Sequence, residues 1–203
     1  DIASGRPASL PGGGTLTADG GSYVTNGTGS PAIYSTADIV VSDATLCANH
    51  SEAIVVEGKN SVTLTNCDVT GSMDGTYADA NDENLHNVML YQSMSGDADV
   101  GQSSFSMSGG SLTALAGDMF YVTNTTCSID LNGVALQYAD GNLLTVAGNS
   151  SGRGWGTEGA NGGDCTLTVR AQELEGVIVV DAISSLDMTM KDGTDFTGSV
   201  NPT

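Results

Sequence analysis

Basic side chains are scarce in this sequence. Lys and Arg total 5 against 24 Asp and Glu, which gives a formal net charge of −19. A nucleic-acid-binding face needs clustered cations to neutralise phosphates, so the composition excludes that class of protein. It also disfavours an anionic membrane surface or a polyanionic substrate, unless a divalent cation bridges the charges. We interpret the acidity as keeping a flat-sided β protein soluble and unpaired.

Long apolar runs and helical periodicity are also missing. No run of apolar residues is long enough to span a bilayer, so we expect no membrane insertion. No signal peptide is visible, and the chain begins at Asp1 rather than Met, so we expect a mature form or an excised piece of a longer protein. Apolar residues do not recur at a spacing of 3.6 beyond a turn or two, which predicts almost no helix.

What the sequence does contain is a repeat with the form apolar, small polar, apolar, four turn-like residues, apolar. Its copies are Leu16/Ala18/Tyr23, Ile39/Val41/Leu46, Val62/Leu64/Val69, Phe105/Met107/Leu112, Ile129/Leu131/Leu136, Leu167/Val169/Leu174 and, with one extra residue, Met188/Met190/Phe196. Alternation with a period of two places one set of side chains inside and the other in water. A second apolar segment accompanies the repeat at 32–34, 53–56, 88–91, 119–122, 143–146 and 177–180.

The spacing of the copies predicts the architecture. Leu16, Ile39 and Val62 follow one another at intervals of 23 residues, and two longer intervals each hold one period plus an insertion. Units of this size cannot bury an apolar face alone, but stacked units share a continuous core. We therefore predict an all-β, right-handed parallel β-helix of about seven rungs over residues 15–203. Residues 1–14 show no pattern and are predicted to form an N-terminal arm or cap.

The four cysteines fall into two pairs of different character. Cys127 and Cys165 occupy the same column of the repeat, so their side chains should stack, and the sequence leaves open whether they form a disulfide. Cys47 and Cys67 are out of register by three positions and are predicted to be free. Buried inert thiols are the alternative for both pairs.

An acidic insertion, residues 71–84, is the candidate metal site. Oxygen-bearing side chains at alternate positions suit a hard cation such as calcium, although the glycine and terminal glutamate of an EF-hand loop are not at their offsets. A solvated acidic loop is the plainer interpretation. The candidate ligands, including two from the next excursion at 93–102, are Asp74, Asp79, Asn81, Asp82, Glu83, Asp97 and Asp99.

A glycine-rich insertion, residues 148–164, is the candidate ligand site. It holds Trp155, the sole tryptophan of the chain. An exposed indole beside polar groups suits the face of a sugar ring, and glycine lets a ligand approach the backbone. The alternative is that the indole covers the end of an apolar column. The predicted glycan-binding residues are Trp155, Arg153, Glu158 and Asn161, with Tyr77 as a neighbour.

Catalytic motifs are weaker than these two sites. With 24 acids, some carboxylate pair always lies close enough for glycoside hydrolysis, so acid content does not discriminate. Arg170 and Lys191 share an outward column but lack an acid cluster beside them, which disfavours a lyase. His50 and His86 lie in different loops. Outward Ser and Thr columns suit a polymeric or ice surface, or simply the exposed face of a β-sheet.

Several stretches resemble a known family. They are YQSMSGDADVG, GDMFYVTNTTCSIDLNGVAL, WGTEGANGGDCTL, ISSLDMTM and GTDFTGSV. Through them the span from Ser61 to Val200 resembles right-handed β-helix modules of bacterial adhesin-like surface proteins, within the pectate-lyase-like superfamily. The resemblance implies the fold and an extracellular setting, but no single activity.

The function that we predict is an extracellular, cell-surface module that is not an enzyme. It would act as a stalk among neighbouring modules of a longer chain and bind a glycan or a host-surface ligand through its long loops. The alternative is a carbohydrate-active enzyme, a polysaccharide lyase or glycoside hydrolase, with acids of residues 74–83 lining the groove. A surface- or ice-binding protein is the third hypothesis.

Overall fold

The computed structural model describes the backbone of Ile2–Ala3 and residues 13–75 and 84–201. The regular secondary structure of these residues is almost entirely β-strand, as the sequence predicts. The strands are β1 (Ile2–Ala3), β2 (Thr15–Asp19), β3 (Ser22–Thr25), β4 (Ile33–Ser35), β5 (Asp38–Ser42), β6 (Thr45–Ala48), β7 (Ile54–Glu57), β8 (Ser61–Gly71), β9 (His86–Tyr91), β10 (Ser103–Ala114), β11 (Asp118–Thr123), β12 (Thr126–Asn132), β13 (Ala135–Tyr138), β14 (Leu144–Val146), β15 (Asp164–Arg170), β16 (Glu173–Val180), β17 (Ser185–Lys191) and β18 (Asp195–Val200). Within the described ranges, a 3-10 turn at Ser151–Arg153 is the sole helical element, and no helix is long and apolar enough to cross a bilayer.

The strands form two sheets in which every observed pairing is parallel. One sheet runs β1-β4-β7-β9-β11-β14-β16-β18. The other runs β17-β15-β12-β10-β8-β5-β2, with β3, β6 and β13 pairing beside this path. The chain alternates between the sheets, so each strand pairs with a strand of the neighbouring repeat rather than with its immediate successor.

The register confirms the predicted columns. Ile129 pairs with Phe105 on one side and with Leu167 on the other, and Leu167 pairs in turn with Met188. The second inward column is matched in the same way, from Ala18↔Val41 to Val169↔Met190. The third predicted column is matched only as far as Leu112↔Leu136, because Leu174 lies in the other sheet, where it pairs with Phe196. Cys127 and Cys165 are direct partners, whereas Cys47 pairs with Thr70 and Cys67 with Gly110.

The turn-like residues of the repeat contain one backbone feature that recurs in all seven copies. In each copy the residue two positions after the second apolar residue has a positive φ. These residues are Gly20, Asp43, Asn66, Gly109, Gly133, Ala171 and Asp192. Gly, Asn and Asp tolerate this left-handed conformation. It bends the strand, so that the last apolar residue of each repeat returns to the core. Ala171 is the exception in residue type, with a φ of 46°.

The core lies between the two sheets. Ile39, Val62, Phe105, Ile129 and Leu167 are at most 3 % exposed. All four cysteines are free thiols, and three of them are buried in or beside this core. The pKa of Cys127 is raised by its hydrogen bond with Cys165 and by burial. Outward Ser, Thr and Asp side chains bond along the columns, for example Ser42 to Asp19 at 2.7 Å and Ser61 to Asp38 at 2.6 Å.

Candidate functional site

The eight-stranded sheet departs from simple alternation in its central strands. Every residue of β7, β9 and β11 is buried, so both faces of these strands are covered. The face turned away from the main core carries a second apolar cluster of Val55, Met89, Tyr91 and Tyr121, with Tyr34 and Trp155 packed against it. The candidate site is built on this cluster.

The loop carrying Trp155 is held in place by its own asparagines. The carbonyl of Trp155 accepts hydrogen bonds from the side-chain amides of Asn149 and Asn161, both at 3.1 Å. Asn161, which is 1 % exposed, also donates to the carbonyl of Asn149 at 2.7 Å, and its own carbonyl accepts from the Asn124 N–H at 2.9 Å. The predicted glycan contact Asn161 is therefore a residue that organises the loop.

The indole of Trp155 is half-buried and lies against Tyr91. The two ring centroids are 4.7 Å apart at an interplanar angle of 62°. The Arg153 guanidinium carbon lies 4.0 Å from the centroid of the indole, in a cation–π contact. Trp155 thus packs on the outward apolar face of the sheet rather than over the end of an apolar column. Arg153 is half-buried, as Trp155 is, whereas Glu158 is exposed.

A buried carboxylate, Glu57, lies beside the tyrosines of this cluster. Glu57 is fully buried and accepts hydrogen bonds from the hydroxyls of Tyr34 and Ser93. Tyr34 and Tyr91 share a hydrogen bond of 2.6 Å. Burial raises the pKa of Glu57 above its ordinary value, and burial beside Glu57 likewise raises the pKa of both tyrosines. Sequence reasoning missed this group, because a single acid at the end of an apolar strand has no motif.

The two excursions on this side of the protein meet at a cleft of about 590 Å³. One wall comes from Val100, Gly101 and Gln102, the other from Ala160, Gly162 and Gly163, and Asn124 and Thr125 form part of the floor. Gln92 also lines it and is 3 % exposed, and neither of its side-chain polar atoms has a hydrogen-bond partner among the described residues. Asp164 is the sole charged residue of this lining.

Most of the predicted calcium site lies outside the described residues, namely Asp79, Asn81, Asp82 and Glu83, together with the predicted glycan neighbour Tyr77. Asp74 bonds to His50 at 2.6 Å, with both side chains about half exposed. Asp97 and Asp99 are exposed, and Asp97 accepts from Ser95. Over residues 13–75 and 84–201, no group of three or more His, Cys, Asp or Glu is placed to hold a metal ion. Calcium binding stays a prediction.

Two further places bear on catalysis. A cleft of about 910 Å³ beside β13, β16 and β18 is lined by the exposed acids Asp140, Glu173, Glu175 and Asp195. On the Ser/Thr face, Arg170 donates to Asp130 at 2.6 Å, and this contact raises the pKa of Arg170. A guanidinium held in its charged form is poorly suited to act as a base.

No family model, curated protein or solved structure matches this chain.

Proposed function

We propose that the chain is a right-handed parallel β-helix module of an extracellular, adhesin-like surface protein, and that it binds glycan through its long loops. The fold proposal is supported by the register, in which the same column pairs from repeat to repeat across both sheets. Alternation of the chain between two parallel sheets is the path that such a helix requires.

The observation that carries the binding proposal is the convergence of two insertions on one face. Residues of 93–102 and of 148–163 line one cleft. Trp155 is not part of this lining but is linked to it by hydrogen bonds, since its carbonyl accepts from Asn161 and the carbonyl of Asn161 accepts from the cleft residue Asn124. Amide and hydroxyl groups beside a half-exposed indole suit the hydroxyls and the apolar face of a neutral sugar. The acidic surroundings disfavour anionic glycans.

A glycan array with and without calcium tests this proposal. Trp155→Ala should abolish binding, and Arg153→Ala should weaken it. Trp155→Phe keeps a ring against Tyr91 and should retain part of the signal. Val24→Ala, an exposed substitution in β3, is the matched control and should leave binding unchanged. Binding by Trp155→Ala equal to that of the unaltered chain would exclude this loop as the site.

A calcium ion in the acidic insertion forms part of the same proposal, with Asp74, Asp97 and Asp99 as candidate ligands beside the acids of residues 79–83. Calcium should raise the melting midpoint, and EDTA should lower it again. If calcium changes neither the melting midpoint nor glycan binding, the metal site is excluded. The proposed glycan site would not be affected by that result.

The acidic cleft favours a second candidate function, glycoside hydrolysis. Glu173 and Asp195 are register partners on β16 and β18, which brings two carboxylates to one wall. A general acid, however, needs an apolar surrounding that keeps it protonated, and all four acids of the cleft are exposed. Release of reducing sugar from a polysaccharide panel, lost in Glu173→Gln, would support the enzyme; no release favours the binding module.

A further inference from the structure

The third predicted column of the repeat is interrupted inside the molecule. β6, the second halves of β8 and β10, and β13 pair in succession along it. β16 does not continue this series, because Leu174 pairs with Phe196 in the eight-stranded sheet. The outer edge of β13 therefore has no strand partner among the residues that the structure describes. The cleft of about 910 Å³ lies between this edge and β16.

We propose that this cleft binds an extended, positively charged peptide segment of a partner protein, which pairs with β13 as an added strand. Peptides that extend an open sheet in this way bind through main-chain hydrogen bonds, and pockets for alternate side chains give the specificity. The cleft shares no lining residue with the one beside the Trp155 loop, so the proposal does not depend on glycan binding.

The main-chain groups at the edge of β13 point into the cleft. Tyr138 belongs to a column whose earlier members include Ala48 and Gly71. The carbonyl of Gly71 accepts a hydrogen bond from the N–H of Leu115 in the following repeat at 2.9 Å, and the carbonyl of Ala48 is bonded onward in the same way. The carbonyl of Tyr138 has the same direction, and alternation along the strand extends it to Leu136.

Contacts at both ends of β13 keep the two walls of the cleft in place. Gln172, which is 2 % exposed, accepts from the N–H of Val134 at 2.9 Å and donates to the carbonyl of the same residue. A side-chain amide thus takes the place of a strand partner there, whereas Leu136 lines the open cleft. The hydroxyl of Tyr138 donates across the cleft to the carbonyl of Glu175. Walls that are already ordered lower the cost of binding a peptide.

The side chains of the cleft indicate the pattern of the segment. Leu136 is half-buried, whereas Leu112, its partner in the preceding strand, is 0 % exposed. An apolar residue of the added strand would cover Leu136 and continue the column. Glu173 and Glu175 flank the inward Leu174, so both lie on the outward face. The neighbours of the apolar peptide residue would also lie on that face, where Lys or Arg would meet these carboxylates.

Charge argues for a foreign, basic segment rather than a second copy of the chain. The charged residues of the lining are all exposed acids, namely Asp140, Glu173, Glu175 and Asp195. Charged side chains protect an open strand edge against unwanted pairing, and acids admit a segment of opposite charge. The net charge of −19 makes another copy of this chain a poor occupant.

Fluorescence anisotropy with a labelled peptide of alternating lysine and valine tests the proposal. This peptide should bind saturably, and a peptide of alternating glutamate and valine should not. Two further lysine–valine peptides carry methyl groups on alternate main-chain nitrogens, one in each register. One of these two registers should bind about fivefold more weakly or worse, because methylation removes the N–H groups that face β13. Equal binding by all three lysine–valine peptides would reduce the contact to charge attraction and overturn strand addition.

A double charge reversal identifies the binding site. Glu173→Lys with Glu175→Lys should weaken binding about tenfold or more, as expected when two exposed ion pairs become repulsions. The control, Asp99→Lys with Asp187→Lys, makes the same change in net charge at exposed residues outside the cleft lining and should weaken binding less than about twofold. Circular dichroism checks that both variants fold. Equal weakening by the two variants, or no saturable binding of the lysine–valine peptide, would overturn the proposal.

Discussion

Ala171 is the one residue with a methyl side chain in a column of left-handed turn residues. Its φ is 46°, and the equivalent residues of the other six repeats are Gly, Asp or Asn. The left-handed conformation costs a residue with a Cβ about 1–2 kcal/mol. Glycine avoids this cost but loses about 0.5–1 kcal/mol more backbone entropy on folding. Ala171→Gly should therefore raise the free energy of unfolding by about 0.5–1 kcal/mol.

The neighbouring repeat offers the reverse substitution. Gly133 has a φ of 61°, and a Cβ built there would lie 3.8 Å from the carbonyl oxygen of Ala171, with no closer contact. Gly133→Ala therefore meets no clash, and it should lower the free energy of unfolding by the same amount, about 0.5–1 kcal/mol. Each variant is measured alone, since the two sites touch and their effects need not add.

Equilibrium urea unfolding, followed by circular dichroism and by the fluorescence of Trp155, measures both variants. Equal m-values would show that the compactness of the unfolded chain has not changed. Ala171→Asn gives a third point, because Asn tolerates the left-handed region without the entropy cost of glycine. A destabilised Ala171→Gly, or a Gly133→Ala variant as stable as the unaltered chain, would refute the reasoning from backbone conformation.

Three further predictions follow from burial and hydrogen bonding. Met107 and Met190 belong to the same inward column but are 0 % and 51 % exposed. Met107→Ala should therefore lower the free energy of unfolding by about 2–5 kcal/mol, and Met190→Ala by about 1 kcal/mol or less. Urea unfolding measures both variants. Burial raises the pKa of Glu57 above 4.5, so the folded state holds this proton more tightly than the unfolded state and the stability it contributes falls as pH rises through the folded pKa. Glu57→Gln should therefore gain stability relative to the unaltered chain as the pH rises above 4.5, and the exposed control Glu175→Gln should not. Asn161→Ala removes a hydrogen bond to the Trp155 carbonyl, so limited proteolysis within residues 148–163 should become several-fold faster. Asn132→Ala, at an exposed position, should not change the rate of proteolysis.

The columns of the two sheets could be predicted from the sequence because parallel pairing between repeats is set by a period. Once Phe105, Ile129 and Leu167 are aligned, the pleat fixes which neighbours face inward, and the structure confirms that register. The sequence predicts no acid cluster beside Arg170, and the structure places one acid, Asp130, within hydrogen-bond distance of it. Asp130 belongs to a different outward column, and the length of the arginine side chain lets it reach across.

The contacts of the candidate site could not be predicted from the repeat period, because they join the insertions, which follow no period, to the sheet. Asn161 looks like a sugar ligand in a glycine-rich loop, yet its side-chain N–H groups donate to the carbonyls of Asn149 and Trp155. One of the two hydroxyls that donate to Glu57 belongs to Ser93, a residue of an insertion that follows no period. Nothing in a repeat alignment indicates where such a loop lies.

One signal for this face was nevertheless present. The runs at 54–56, 88–91 and 119–122 are apolar or aromatic at nearly every position, which is the pattern of strands that are covered on both sides. If the outward face of these strands were in water, Val55, Met89 and Tyr121 would expose apolar side chains to solvent. Their presence therefore indicates that other residues cover this face. In the structure these three lie in the cluster on which Trp155 packs. In a repeat of this kind, strands that do not alternate apolar and polar residues mark the face on which the insertions pack. Ligand sites should be sought on that face before the regular Ser/Thr columns.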